Sequence, residues 1–140
     1  MASFVTLTLT RSACTCDTNA DPTLIVGPDG QVFFAPQKEG RVGIFDTATS
    51  AFSLQAAAGT TATLKYSGAA AVGTRVYFAP YDESGTGIFD TLSGVFSMES
   101  MWDTSGTQRF DGAVAVGTRV YFAPLNMGMV ATVTVIGEPI

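Results

Sequence analysis

The chain has 140 residues, 46% of them hydrophobic and 14% charged, with 15 glycines and a formal net charge of −5. That is the length of one domain with enough apolar residues for a core, too apolar and too weakly charged to stay disordered. The seven basic residues are scattered along an acidic chain, which excludes a phosphate-binding surface built on clustered Lys and Arg, so no nucleic-acid partner is expected.

The N-terminus has no basic stretch leading into a continuous apolar run, so it does not read as a secretory signal peptide. The compartment stays open, an organelle included if an upstream targeting segment is removed. Residues 4–10, FVTLTLT, alternate apolar side chains with Thr and predict a strand. Cys14 and Cys16 follow as a lone C-x-C in a chain without histidine. Two thiols fall short of the four ligands zinc normally takes. The plain reading is two thiols in a loop; the alternative is a redox pair or a metal shared between chains.

A period then begins. FAP stands at 34–36, 78–80 and 122–124, each 44 residues from the last, and GIFDT at 43–47 and 87–91 keeps the same step. The ten letters AVGTRVYFAP occupy 71–80 and return unchanged at 115–124. The resulting organisation is a single repeat domain over 1–140: an N-terminal strand and loop (1–22), repeat one (23–64), repeat two (65–108) and a truncated repeat three (109–140).

Repeat one predicts strands near 23–27, 31–35, 42–46 and 51–55, with VGPDGQ between the first two as a hairpin turn rather than a phosphate loop. Repeat two opens on a small-residue run at 67–72, suited to a strand buried on both faces. Gly73 and Thr74 make a tight turn, 75–79 is β-branched and aromatic, and Pro80 stops it because proline cannot donate to a ladder. Strands over 86–90 and 95–100 complete the repeat. Repeat three repeats the first pair and then reads MVATVTVI at 129–136, one alternating strand. No stretch keeps a helical apolar period over ten residues, and none has the roughly 18 consecutive apolar residues of a membrane-spanning helix.

Four short strands in each 40–50 residues is the pattern of a propeller blade. The expected fold is therefore all-β: β-propeller-type blades of four antiparallel strands, about three per chain, on a 44-residue repeat. Neighbouring blades bury each other's faces, which is reason enough for a phrase to recur. Asp46 and Asp90 fall where a strand enters its hairpin, and each is expected to cap the turn by accepting backbone N–H groups two residues on.

The hairpin GIFDTxxxxFS and the strand KYSGAAAVGTRVYFAP resemble Kelch-type propeller repeats. They are more closely similar to tandem repeats of marine algal proteins with the form KYxGxVxxxxxxYFxPxxxxxxGxxD. Lys65, Tyr66, Gly68, Val76, Tyr77, Phe78, Pro80, Gly87 and Asp90 carry the resemblance, which covers about residues 24–124. It implies a propeller blade, a fold that hosts scaffolding, binding and catalysis alike. The double glycine of Kelch repeats is missing, and Val133 and Thr134 stand where the second repeat has Phe89 and Asp90.

Counting the N-terminal strand, twelve strands are expected, enough for three blades of four. Two chains would make six. The expectation is a C2 homodimer forming one six-bladed ring, residues 4–10 of each chain completing its partner's last blade. The competing arrangements are an open wedge covered by other proteins and a piece cut from a longer repeat protein.

Catalysis has little to draw on: there is no histidine, and no Ser or Cys has a base beside it. Asp82 and Glu83 are adjacent, so the chain sends them to different sides. The chain is read as non-enzymatic, with no cofactor and no metal. The loop at 98–110 holds the single Trp, and Trp102 with Met98 and Met101 either fills a gap between blades or meets a partner or a sugar ring. Arg75 and Arg119 begin the same strand of successive repeats, as solvated strand ends or as one charged face. Two function classes follow. The first is a structural or protein-interaction scaffold, on the algal resemblance an accessory subunit of an organelle assembly. The alternative is a lectin-like binder of carbohydrate or a small ligand, which Trp102 argues against because its counterpart one repeat earlier is Ala58.

Overall fold

The computed structural model describes residues 24–101 and 106–135. Among these residues, eleven strands form three antiparallel sheets. The first sheet is β1 (Leu24–Val26), β2 (Gln31–Phe34), β3 (Arg41–Asp46) and β4 (Ala51–Ala56), paired in chain order. The second is β5 (Tyr66–Val72), β6 (Arg75–Pro80), β7 (Gly85–Asp90) and β8 (Val95–Ser100). The third has three strands: β9 (Phe110–Val116), β10 (Arg119–Pro124) and β11 (Ala131–Thr134). The expected strand over 4–10 lies outside the described residues, as do Cys14, Cys16 and Trp102.

Turn chemistry explains why each sheet is a meander. Val72 pairs with Arg75 and Val116 with Arg119, leaving two-residue loops that begin on Gly73 and Gly117. Both glycines have positive φ (59° and 61°), which a side chain would resist. β6 and β10 run through their prolines, one residue further than expected. Pro80 sits opposite Tyr66 and Pro124 opposite Phe110 at the last rung, where no N–H is needed. The segment at Pro28–Gly30 is a single 3-10 turn within the first hairpin.

The sheets stack face to face with their first strands adjoining. β5 and β9 approach closely at paired glycines: a methyl group on Gly68 would lie 2.5 Å from Cα of Gly112. Ser67 Oγ donates to the Phe110 carbonyl there (2.6 Å). Strand alternation gives the second sheet two apolar faces. One puts Tyr66, Val76, Phe78, Phe89 and Phe96 against Phe33, Val42 and Ile44 of the first sheet. The other puts Ala70, Val72, Tyr77 and Ala79 against Phe110, Val120 and Phe122 of the third. Strands covered on both faces are apolar on both sides, hence the near-continuous apolar reading of β5 and β6.

Candidate functional site

Interfaces between sheets are where the polar chemistry collects. Each four-residue turn after a third strand is capped by its acid. Asp46 Oδ1 accepts the N–H groups of Ala48 (2.8 Å) and Thr49 (3.3 Å), and Asp90 Oδ1 those of Leu92 (2.9 Å) and Ser93 (3.2 Å). The following threonines tie the turn to the neighbouring hairpin, Thr47 Oγ1 donating to the Gly30 carbonyl and Thr91 Oγ1 to the Thr74 carbonyl, both at 2.6 Å. The two backbone donors, with Arg75 adding a smaller effect, hold the Asp90 carboxyl below the usual aspartate range. Glu39 is likewise lowered, chiefly by its hydrogen bond from Arg41 Nε (2.8 Å).

A second system binds one sheet to the next. Backbone bonds step from sheet to sheet: Lys65 N to Gln37 O (2.9 Å), Tyr81 N to Lys65 O (2.8 Å), Arg109 N to Tyr81 O (2.8 Å) and Leu125 N to Arg109 O (2.9 Å). Three buried charged residues stand along this belt: Lys65, Glu83 and Arg109. Glu83 Oε2 accepts the N–H groups of Thr61 (3.0 Å) and Ala62 (3.1 Å), fastening the link that precedes its own sheet. Asp82, next to it, turns the other way and accepts from Gln108 N (2.7 Å) in the link that follows. Arg109 Nη1 donates to the Glu83 carbonyl (2.7 Å), and Lys65 Nζ approaches the Lys38 carbonyl at 3.4 Å. These carboxylates and cations are occupied with backbone groups, the use expected of buried charge. Lys65 and Arg109 are not among the sequence-predicted site residues, and the structural role of Glu83 is not expected from the sequence. The signal was present: Lys65 and Arg109 are 44 apart, and so are Glu39 and Glu83.

The residues singled out as binding candidates separate. Met98 packs into the core between the first and second sheets, whereas Met101 joins the one between the second and third. The two methionines therefore form no common patch. Arg75 and Arg119 do occupy matching, exposed positions at the starts of β6 and β10. Arg75 Nε lies 3.6 Å from Asp90 Oδ2, while Arg119 pairs in register with Thr134 instead of an acid. Among the described residues no group of three or more His, Cys, Asp or Glu is placed to hold a metal ion, and no helix is long and apolar enough to cross a membrane.

Among the described residues, the third sheet carries two open features. Its far face exposes Val114 (57%) and Val116 (64%), with Tyr121 and Ala123 beside them. On its near side a groove of about 470 Å³ runs between β11 and the second sheet, lined by Ile88, Met101, Phe110, Met127, Ala131 and Val133 among others.

No family model and no curated protein matches the chain. Among solved structures, virginiamycin B lyase from Staphylococcus aureus superposes with a TM-score of 0.57 at 11% identity, over 82% of this chain and 41% of the lyase chain. That structure is a β-propeller. The fold here is a β-propeller fold. The chain spans about two-fifths of the lyase's length, and the likeness concerns the fold alone. In propeller terms β1, β5 and β9 are the first strands of successive sheets, and β4 and β8 the outer strands of the two complete ones.

Proposed function

We propose that the chain is a non-enzymatic structural and protein-interaction module whose open end faces assemble head to tail with a second copy into one six-bladed ring. The observation that supports it is a face present twice in the chain and covered once. Ala70 (2% exposed), Val72 (9%), Tyr77 and Ala79 are buried under the third sheet. Their counterparts one repeat later, Val114, Val116, Tyr121 and Ala123, form the far face of the third sheet with no described residue packed over it as a further sheet. Contiguous exposed apolar surface of this kind marks an interaction site.

The complementary face is open too. In the second sheet Val76, Phe78, Phe89 and Phe96 are buried against the first sheet. Their counterparts in the first sheet, Val32, Phe34, Phe45 and Phe52, are only half-buried, although Phe34 and Phe52 keep an edge-on ring contact at 5.9 Å. Front face on back face is the contact the chain already makes twice within itself. Applied between two copies, it is a heterologous contact that closes under a two-fold axis. The Kelch-like reading of the repeat fits this role but rests on the motif residues alone. Native mass spectrometry at micromolar concentration is expected to show a species of twice the 14.6 kDa chain mass. A single-chain mass would overturn the ring.

A further inference from the structure

The groove beside β11 lies where the first two sheets have an outer strand and where the third has none among the described residues. In the second sheet, β8 runs along β7 with Phe89 opposite Phe96 and Gly87 opposite Met98. The Phe96 ring packs against Tyr66 (6.0 Å) and Phe78 (6.2 Å), whose counterparts in the third sheet are Phe110 and Phe122. The third sheet has no strand after β11 among the described residues, and the groove lies over Phe110, Ala131 and Val133. Among the described residues, the outer edge of β11 therefore has no strand paired to it and lies beside an apolar slot, the two requirements of strand addition.

The slot also states what it accepts. Where an outer strand carries Phe, the third strand carries Gly: a methyl on Gly43 would lie 3.2 Å from the Phe52 ring, and one on Gly87 2.8 Å from the Phe96 ring. In β11 that position is Ala131, so a methyl group stands where the first two sheets keep Gly beneath the ring. The third sheet is shaped for an aliphatic side chain. Residues 4–10 supply one: Val5, Leu7 and Leu9 alternate with Thr6, Thr8 and Thr10. This matches Phe52-x-Leu54 in β4 and Phe96-x-Met98 in β8, with smaller residues.

Chain order selects the copy. Each outer strand leads through nine residues (57–65 and 101–109) to the first strand of the next sheet. Residues 4–10 lead through 11–23 to β1, which in chain order is where the outer strand of a sheet preceding the first would stand. In the head-to-tail ring that sheet is the third sheet of the second copy. We propose that residues 4–10 of one copy add to the free edge of β11 in the other, setting Val5, Leu7 and Leu9 into the groove. This rests on the two-copy ring.

The test uses the full chain with leucine replaced by its diazirine analogue, mixed as ¹⁴N and ¹⁵N copies and irradiated. Cross-links from Leu7 or Leu9 to the peptide spanning 127–134, joining a light copy to a heavy one, are expected. In parallel, Leu7→Asp/Leu9→Asp is expected to weaken dimerisation at least tenfold and speed amide exchange in β11 by a similar factor. β5 and β6 should keep their protection, which controls for misfolding. A dimer without cross-links to 127–134 overturns the strand assignment and leaves the ring standing. Cross-links confined to one copy overturn the exchange between copies. A monomer overturns the ring itself.

Discussion

Residues 71–80 and 115–124 are the same ten letters in two surroundings. In the second sheet Tyr77 and Ala79 are buried; in the third Tyr121 is half-buried and Ala123 exposed. Backbone, register and turn are shared, since both copies pair through the same two-residue glycine loop. Only the neighbour differs. Local sequence thus sets which side chains point to which face, while burial, and with it the energetic consequence of any substitution, is set by what lies beyond that face.

Twin substitutions break this comparison most sharply. Ala79→Asp places an unpaired carboxylate between the second and third sheets, where Ala79 has no exposure. It is expected to destabilise the chain by about 3–5 kcal/mol in urea unfolding. Ala123→Asp, the same change 44 residues on, is expected to shift the stability of a single copy by less than about 0.5 kcal/mol and to abolish the dimer in native mass spectrometry. Equal losses of stability would show that the two faces are equally covered.

The links between sheets differ too. Glu83 holds Thr61 and Ala62, whereas its counterpart in the third repeat is Met127. Glu83→Ala frees two backbone donors in a part-buried setting, and a loss of about 1–2 kcal/mol is expected from the urea midpoint. Recovery by Gln would be partial, since the carboxamide accepts without the charge.

Hairpin tips give a finer contrast. Ser50 and Gly94 occupy equivalent positions, both with positive φ (57° and 71°). Gly94→Ala is expected to cost about 1–2 kcal/mol, and Ser50→Gly to raise the melting temperature with a gain below about 1 kcal/mol. At the start of the first strands, Tyr66 corresponds to Phe110. The Tyr66 hydroxyl is buried and finds no hydrogen-bond partner among the described residues; burial, aided by Glu83, pushes its pKa far up. Tyr66→Phe is therefore expected to be neutral or stabilising by up to about 1 kcal/mol.

The smallest effect is acid sensitivity at the Asp90 turn. Its folded pKa lies below the usual 3.8, so the stability it supplies is fully present above that value and is lost as pH falls through the lowered one. Asp90→Asn should flatten that part of the acid-unfolding curve. An unchanged slope below pH 3.8 would show that the turn cap does not couple to folding.

Much of the architecture was legible because its causes are local or periodic. Gly73 and Gly117 marked their turns through the freedom of glycine at positive φ, and alternation located the strands to within a residue or two. The roles of Glu83 and Arg109 were not legible in the same way. Each acts on backbone groups more than 20 residues away, Glu83 on Thr61 and Ala62, Arg109 on Glu83, and those donors and acceptors leave no letter in the sequence. The parting of Met98 and Met101 was hidden for a similar reason. They stand three residues apart, but the end of β8 comes between them and directs them to opposite cores.

By itself, the sequence determined the all-β class, the 44-residue repeat, the turns and the alternating apolar faces, since these follow from side-chain period and backbone preference. Which of two identical faces is buried, which charged groups serve as staples, and where an edge and a groove lie open were decided only by the stacking of the sheets. Stacking brings residues 44 apart into contact across an interface, and that packing depends on the presence of a neighbour as much as on the residues themselves.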